Sequence, residues 1–233
     1  EMLRSLVGSE MCIRDRMKEF YPQLPIFLTN DANAAAIGEM IYGGAKGMKD
    51  FIMVTLGTGL GSGFVANGQL IYGSDGFAGE LGHIIVSPNG RQCGCGRNGC
   101  LETYVSATGV KRTAYKMMAK YNYPSDLRLV PFNEMTAKMV SEAAQKGDMI
   151  AINTFKYTGK MLGEALANMV AITSPEAIFL FGGLAKAGPL LFEPTKDHME
   201  MNVLKIFANK VKLLPSQPVS YTHLRAHETP EHL

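Results

Sequence analysis

The sequence has 233 residues, 46% of them hydrophobic, enough apolar material for one sizeable core or for two lobes sharing a cleft. Twenty-three Lys and Arg stand against 21 Asp and Glu, a net charge of +2, and no basic run forms a stripe, which argues against nucleic acid and anionic membranes as partners. No apolar stretch is long enough to span a bilayer, and Arg4, Glu10, Arg14, Asp15 and Arg16 break any apolar N-terminal region, so a cytoplasmic protein is expected.

Residues 1–16 show neither strand alternation nor a helical stripe, and 216–233 form a polar tail holding His223, His227 and His232. Both ends resemble translated sequencing-adapter read-through and are expected to be a non-native leader and tail. Between them, Pro25 to Leu28 reads as a short strand. Asn30 and Asp31 then lead into an alanine-rich helix, Ala32 to Tyr42, closed by Gly43 and Gly44. Phe51 to Leu56 reads as a buried strand. A glycine-rich turn, a strand near Gly63 to Ala66, an Asn67-Gly68 hairpin signal and a strand at Gln69 to Tyr72 follow it. Helical patterns cover about Leu101 to Tyr121, Asn133 to Gln145 and Ile150 to Thr173, the last capped by Asp148. Glu176 to Phe181 reads as a further strand ending in Gly182-Gly183. Strands mixed with long helices predict an α/β protein, without internal repeats.

Gly57-Thr58-Gly59-Leu60-Gly61-Ser62-Gly63 lets backbone N–H groups approach an anion closely, since glycine has no Cβ in the way. No Gly-Lys-Ser/Thr follows and a strand comes next, so this is neither a Walker loop nor a dinucleotide fingerprint. It fits the phosphate clamp of actin-like ATPases and sugar kinases; a plain tight hairpin is the alternative. Gly182-Gly183, directly after a buried strand, is a candidate adenosine site.

His83, Cys93, Cys95 and Cys100 offer one imidazole and three thiolates, separated by nine, one and four residues, a set suited to tetrahedral zinc. The intervening Gly90, Gly94, Gly96, Arg97, Asn98 and Gly99 are too poor in apolar side chains to hold a loop by packing. A metal would supply rigidity worth up to roughly 10 kcal/mol. Reduced surface cysteines without metal are the alternative. Full ligation by protein groups predicts a structural Zn²⁺, not a catalytic one. Cys12 stands apart.

Phosphoryl transfer from ATP to a hydroxyl needs a carboxylate to accept the proton and polar groups to fix the acceptor. Asp31, beside Asn30 at a helix start, is the candidate base, with helix capping as the alternative. Glu80 and Glu102 flank the cysteine loop and are candidates for sugar hydroxyls, against an alternative as solvated surface groups.

Asn30-Asp31-Ala32-Asn33-Ala34-Ala35, Gly57-Thr58-Gly59, Glu80-Leu81-Gly82-His83 and the segment from Cys93 to Glu102 together resemble the ROK family of sugar kinases and related repressors, over about Met17 to Leu214. The resemblance implies an actin-like ATPase (ribonuclease H-like) fold and a homo-oligomer, often a dimer. It implies Mg-ATP as donor and a hexose acceptor, glucose at its 6-hydroxyl above all. It implies Asp31 as base; Asn30, Glu80, His83 and Glu102 on the sugar; His83, Cys93, Cys95 and Cys100 on zinc; and Gly57 to Phe64 on the phosphates. Residues 17–42 are then expected to be a remnant of the N-terminal lobe and 43–215 the larger lobe. The family's Asp-x-Gly-x-Thr phosphate strand does not occur in these residues, so the chain alone is expected to be poorly active. A sugar-responsive repressor and an N-acetylhexosamine kinase are the competing expectations; no helix-turn-helix is visible.

Overall fold

Alternation along Phe51–Leu56 (β1) decides the layering of this computed structural model, which describes residues 15–25 and 29–217. Phe51 and Met53 face one side with Ala177 and Phe179 of β4 (Ala177–Phe181). Ile52, Val54 and Leu56 face the other with Ile178 and Leu180. Successive side chains of a strand point to opposite faces, so one run of six apolar or small residues feeds two cores.

β1 is central in a five-stranded sheet, β3-β2-β1-β4-β5. It pairs antiparallel with β2 (Leu60–Ala66), which hairpins into β3 (Gln69–Leu70), and parallel with β4, which pairs parallel with β5 (Lys212–Pro215). Helix α1 (Asp31–Tyr42) covers the Phe51 face through Ala35 and Ala36, and Phe51 meets Phe179 edge to face at 5.8 Å. The opposite face carries α2 (Ala107–Lys120), α3 (Ala137–Gln145), α4 (Met149–Thr173) and α5 (Pro189–Asn202). α4 and α5 approach closely because Gly159 and Gly163 face the partner helix. A Cβ at Gly159 would lie 2.7 Å from Pro194 Cγ, and one at Gly163 2.8 Å from His198 Cβ.

The helices begin later than periodicity suggests wherever a hydroxyl caps them. Ser106 accepts from Gly109 N–H and Thr136 from Met139 N–H, so α2 and α3 start at Ala107 and Ala137 rather than near Leu101 and Asn133. Leu101–Thr103 forms a separate 3₁₀ turn. Asp148 caps α4 as expected, accepting from Ile150 and Ala151 N–H. Residues 15–20 are helical although no apolar stripe marks them, and all six are exposed, so none is needed. Of the strand expected at Pro25 to Leu28, residues 26–28 lie outside the described residues, as do Cys12 and the tail histidines. Among the described residues no helix is long and apolar enough to cross a membrane.

Candidate active site and metal centre

Parallel pairing of β1 and β4 brings their carboxyl ends to one edge of the sheet. There β1 runs into Gly57-Thr58-Gly59 and β4 into Gly182-Gly183. Gly182 has φ +102°, and a Cβ on it would lie 2.5 Å from the Leu56 carbonyl oxygen, so the two turns are in contact. Gly57 N–H donates to the Gly59 carbonyl at 3.0 Å, and Gly57 and Thr58 are exposed. Crevices outside the carboxyl ends of parallel strands are where such sheets bind ligands.

β2 starts at Leu60, not near Gly63, which places Gly61, Ser62, Gly63 and Phe64 inside a strand. Gly61 and Gly63 make room for α1: their Cβ positions would lie 3.0 Å from Ala32 Cβ and 2.8 Å from Ala36 Cβ. Ser62 is buried, donating to the Gly79 carbonyl and accepting from Leu81 N–H. Leu60 and Phe64 belong to the core.

The contact between Gly61 and Ala32 brings the first turn of α1 beside the glycine turn. Asn30 is the helix cap, its Oδ1 accepting from Asn33 N–H at 2.7 Å. Asp31 is the first helical residue. Its Oδ1 accepts from the adjacent Ala32 N–H at 2.8 Å, and the residue is exposed. Capping therefore falls to Asn30, and the Asp31 carboxylate stands in solvent at the positive end of a helix.

On the other side of β2, the segment Gly79–His83 and the loop to Cys100 assemble the four candidate ligands. One ligand atom from each of His83, Cys93, Cys95 and Cys100 lies within 4.8 Å of the others. His83 Nδ1 is 3.7 Å from Cys93 Sγ and Cys95 Sγ is 3.6 Å from Cys100 Sγ. Metal–sulfur bonds of about 2.3 Å give a tetrahedron with edges of roughly 3.8 Å, so donor chemistry and spacing both fit zinc. The Arg97 backbone N–H draws the Cys95 thiol down to about 6. Burial pushes Cys100 up to about 12 and Cys93 in the same direction. A metal entering here displaces protons from those two thiols, so acid opposes its binding. His83 Nε2 lies 3.9 Å from Glu80 Oε2, so Nδ1, which faces Cys93, is the nitrogen that a metal here would meet.

Glu80 is exposed and Glu102 half-buried. Glu102 Oε2 accepts from Leu60 N–H at 3.0 Å, and Cys93 Sγ donates to its Oε1 at 3.8 Å. Three further residues were not marked by the sequence motifs' chemistry. Arg91 braces the cysteine loop: its guanidinium donates to the Thr103 and Gly109 carbonyls and to Thr113 Oγ1, and stacks 4.5 Å from the Tyr104 ring. Buried Glu39 accepts from Gly44 N–H, Ser216 Oγ and Gln217 N–H, joining the end of α1 to the chain beyond β5. Asn33 is buried against Gly63, its Oδ1 unpartnered among the described residues. An arginine in a glycine-rich loop and a glutamate in an alanine-rich helix are the signals that could have pointed to the first two.

The ROK family sequence profile matches residues 10–220, wider at both ends than the resemblance drawn over about 17–214. The chain is 42% identical over 195 residues to a glucokinase of Halalkalibacterium halodurans, covering 82% of this chain and 58% of that protein. It is 30% identical over 191 residues to the DNA-binding transcriptional dual regulator NagC of Escherichia coli, covering 82% of this chain and 46% of NagC. The chain thus spans between about half and three-fifths of the length of these relatives. Superposed on a ROK family glucokinase from Streptomyces griseus in complex with glucose and AMPPNP, it gives a TM-score of 0.77 at 33% identity, covering 88% of this chain and 67% of that one. A ROK family transcriptional regulator homologous to E. coli MLC gives 0.76 at 30% identity, covering 86% and 50%. The mixed sheet with helices on both faces is the actin-like ATPase fold of ROK sugar kinases, and the chain belongs to the ROK family.

Proposed function

We propose that the protein transfers the terminal phosphoryl group of Mg-ATP to a hexose, with glucose at its 6-hydroxyl the favoured acceptor. The observation that carries this reading is the exposed Asp31 carboxylate, on a helix whose next residue, Ala32, packs against Gly61 two residues beyond the glycine turn. A hydroxyl placed between them has a proton acceptor on one side and a phosphate site on the other. The similarity to glucokinases supports the sugar assignment.

In this reading the turn Gly57-Thr58-Gly59 offers its backbone to the phosphates, and Gly182-Gly183 adjoins it where the nucleoside would lie. Phe64, Gly61, Ser62, Gly63 and Leu60 act from behind, as the strand that carries the turn. Mg²⁺ enters with ATP. Asn30, Glu80, His83 and Glu102 line the sugar side, where carboxylates and an amide can accept and donate to ring hydroxyls. His83 serves both sites because its two nitrogens point to different neighbours. His83, Cys93, Cys95 and Cys100 would hold zinc as a rigid four-ligand knot, which would leave no open position for substrate.

Glucose-dependent ADP release by the protein expressed from the complete gene tests this directly. Absence of turnover with tight sugar binding and operator DNA binding would favour the second reading, a sugar-responsive repressor, which the similarity to NagC supports. N-acetylhexosamines tested beside glucose separate the two kinase readings. A homo-oligomer in the cytoplasm belongs to the same proposal, and sedimentation of the full-length protein tests the oligomer.

A further inference from the structure

We propose that Glu102 is a positioning residue through which the metal cluster holds the glycine turn in place. Leu60 N–H, at the far end of the turn, donates to Glu102 Oε2 at 3.0 Å across 42 residues of sequence. Glu102 follows Cys100 by two residues, in the 3₁₀ turn Leu101–Thr103, and Leu101 N–H donates to the carbonyl of Ile84, next to His83. The carboxylate is therefore carried on a segment framed by two of the four cluster residues. At the near end of the turn, Ala107 N–H donates to the Gly57 carbonyl at 2.9 Å. Both ends of Gly57–Leu60 are thus tied to the chain immediately after Cys100.

Gly59 completes the arrangement. A Cβ there would lie 2.5 Å from Glu102 Oε2, so the missing side chain is what lets the carboxylate lie flat against the turn. Inside the turn Gly57 N–H donates to the Gly59 carbonyl, which sets its shape; the ties to Glu102 and Ala107 set where it sits. From the opposite side Leu81 N–H donates to Ser62 Oγ, so the segment that carries His83 also grips β2. Loss of the metal removes the Cys100 anchor two residues before Glu102, while Leu101, Tyr104 and Val105 stay packed in the core, so the loosening falls on the carboxylate and on the Leu60 end of the turn. Phosphate affinity then depends on an ion that never touches the nucleotide. This rests on reading the cluster as a zinc site and the turn as the phosphate binder, and adds a mechanical link between them.

The test measures zinc content and residue-resolved amide hydrogen exchange in the 233-residue chain, as wild type, Glu102→Ala and Glu102→Gln, with and without a chelator. The Leu60 amide should exchange about tenfold faster in Glu102→Ala, the loss of one hydrogen bond to a charged acceptor. Glu102→Gln keeps an oxygen acceptor and should restore most of the protection. Zinc removal should accelerate Leu60 in the wild type and add little in Glu102→Ala, the non-additivity of a coupled pair. A general loosening would instead move the core amides of β1 and β4 together with Leu60, and would count against a specific link. A chain that takes up no zinc overturns the cluster reading and the link together. A chain that holds zinc, yet whose Leu60 amide exchanges alike in all three proteins or responds to chelation equally with and without Glu102, overturns the link alone.

Discussion

His83 turns Nδ1 toward Cys93 Sγ at 3.7 Å, which leaves its Nε2 facing Glu80 at 3.9 Å. At 3.9 Å the carboxylate favours a proton on Nε2 electrostatically, and closing that gap to a hydrogen bond would orient the imidazole and make it a better ligand. Glu80→Gln should keep one zinc per chain but weaken its affinity by about tenfold in chelator competition. His83→Ala and Cys100→Ser should lose most of the metal, since each removes a ligand from a four-ligand set. Equal zinc retention in all four proteins would dismantle the cluster assignment.

Arg91 does for the cysteine loop what apolar packing cannot. Its guanidinium satisfies two carbonyls and a threonine hydroxyl at once while stacking on Tyr104, a geometry that a lysine ammonium does not reproduce. Arg91→Lys should lower unfolding stability by about 2 kcal/mol in urea titration of the zinc-loaded chain, because buried carbonyls lose their donors. A change within measurement error would mean that the metal alone suffices to hold the loop.

Gly182 is constrained twice, by its positive φ of +102° and by the Leu56 carbonyl against which it lies. Gly182→Ala should cost about 2 kcal/mol or more, from left-handed strain plus displacement of the backbone of β1. Gly183→Ala, with open space at its Cβ position and ordinary φ, should change stability little, and equality of the two variants would contradict the packing described.

The strands Phe51–Leu56 and Ala177–Phe181 were legible because strands buried on both faces read as apolar runs with turn residues behind them. The gathering of His83 with Cys93, Cys95 and Cys100 was legible because these residue types at this spacing have few uses other than to meet in space. Helix α5 was not: Pro189 and Pro194 signal a break, whereas Pro189 sits at the first helical position and Pro194 packs on Gly159. β5 escaped because it is a short edge strand, partly exposed and ending in Pro215. The glycine run looked like one long loop, since nothing local shows that Gly61 and Gly63 serve the approach of α1 while Gly57 and Gly59 form the turn. That division depends on a helix that precedes the run by some twenty residues, and sequence spacing does not reveal which face it covers.

Asp31, exposed at the start of α1, is the group on which the proposed phosphoryl transfer depends. The decisive measurement compares glucose phosphorylation and glucose binding in the protein from the complete gene with those of its Asp31→Ala variant. Loss of the proton acceptor should lower kcat by about 10²–10⁴-fold while sugar affinity changes only a few-fold. Turnover that survives the substitution within about tenfold would remove Asp31 from the role of base, and with it the kinase mechanism proposed for this site.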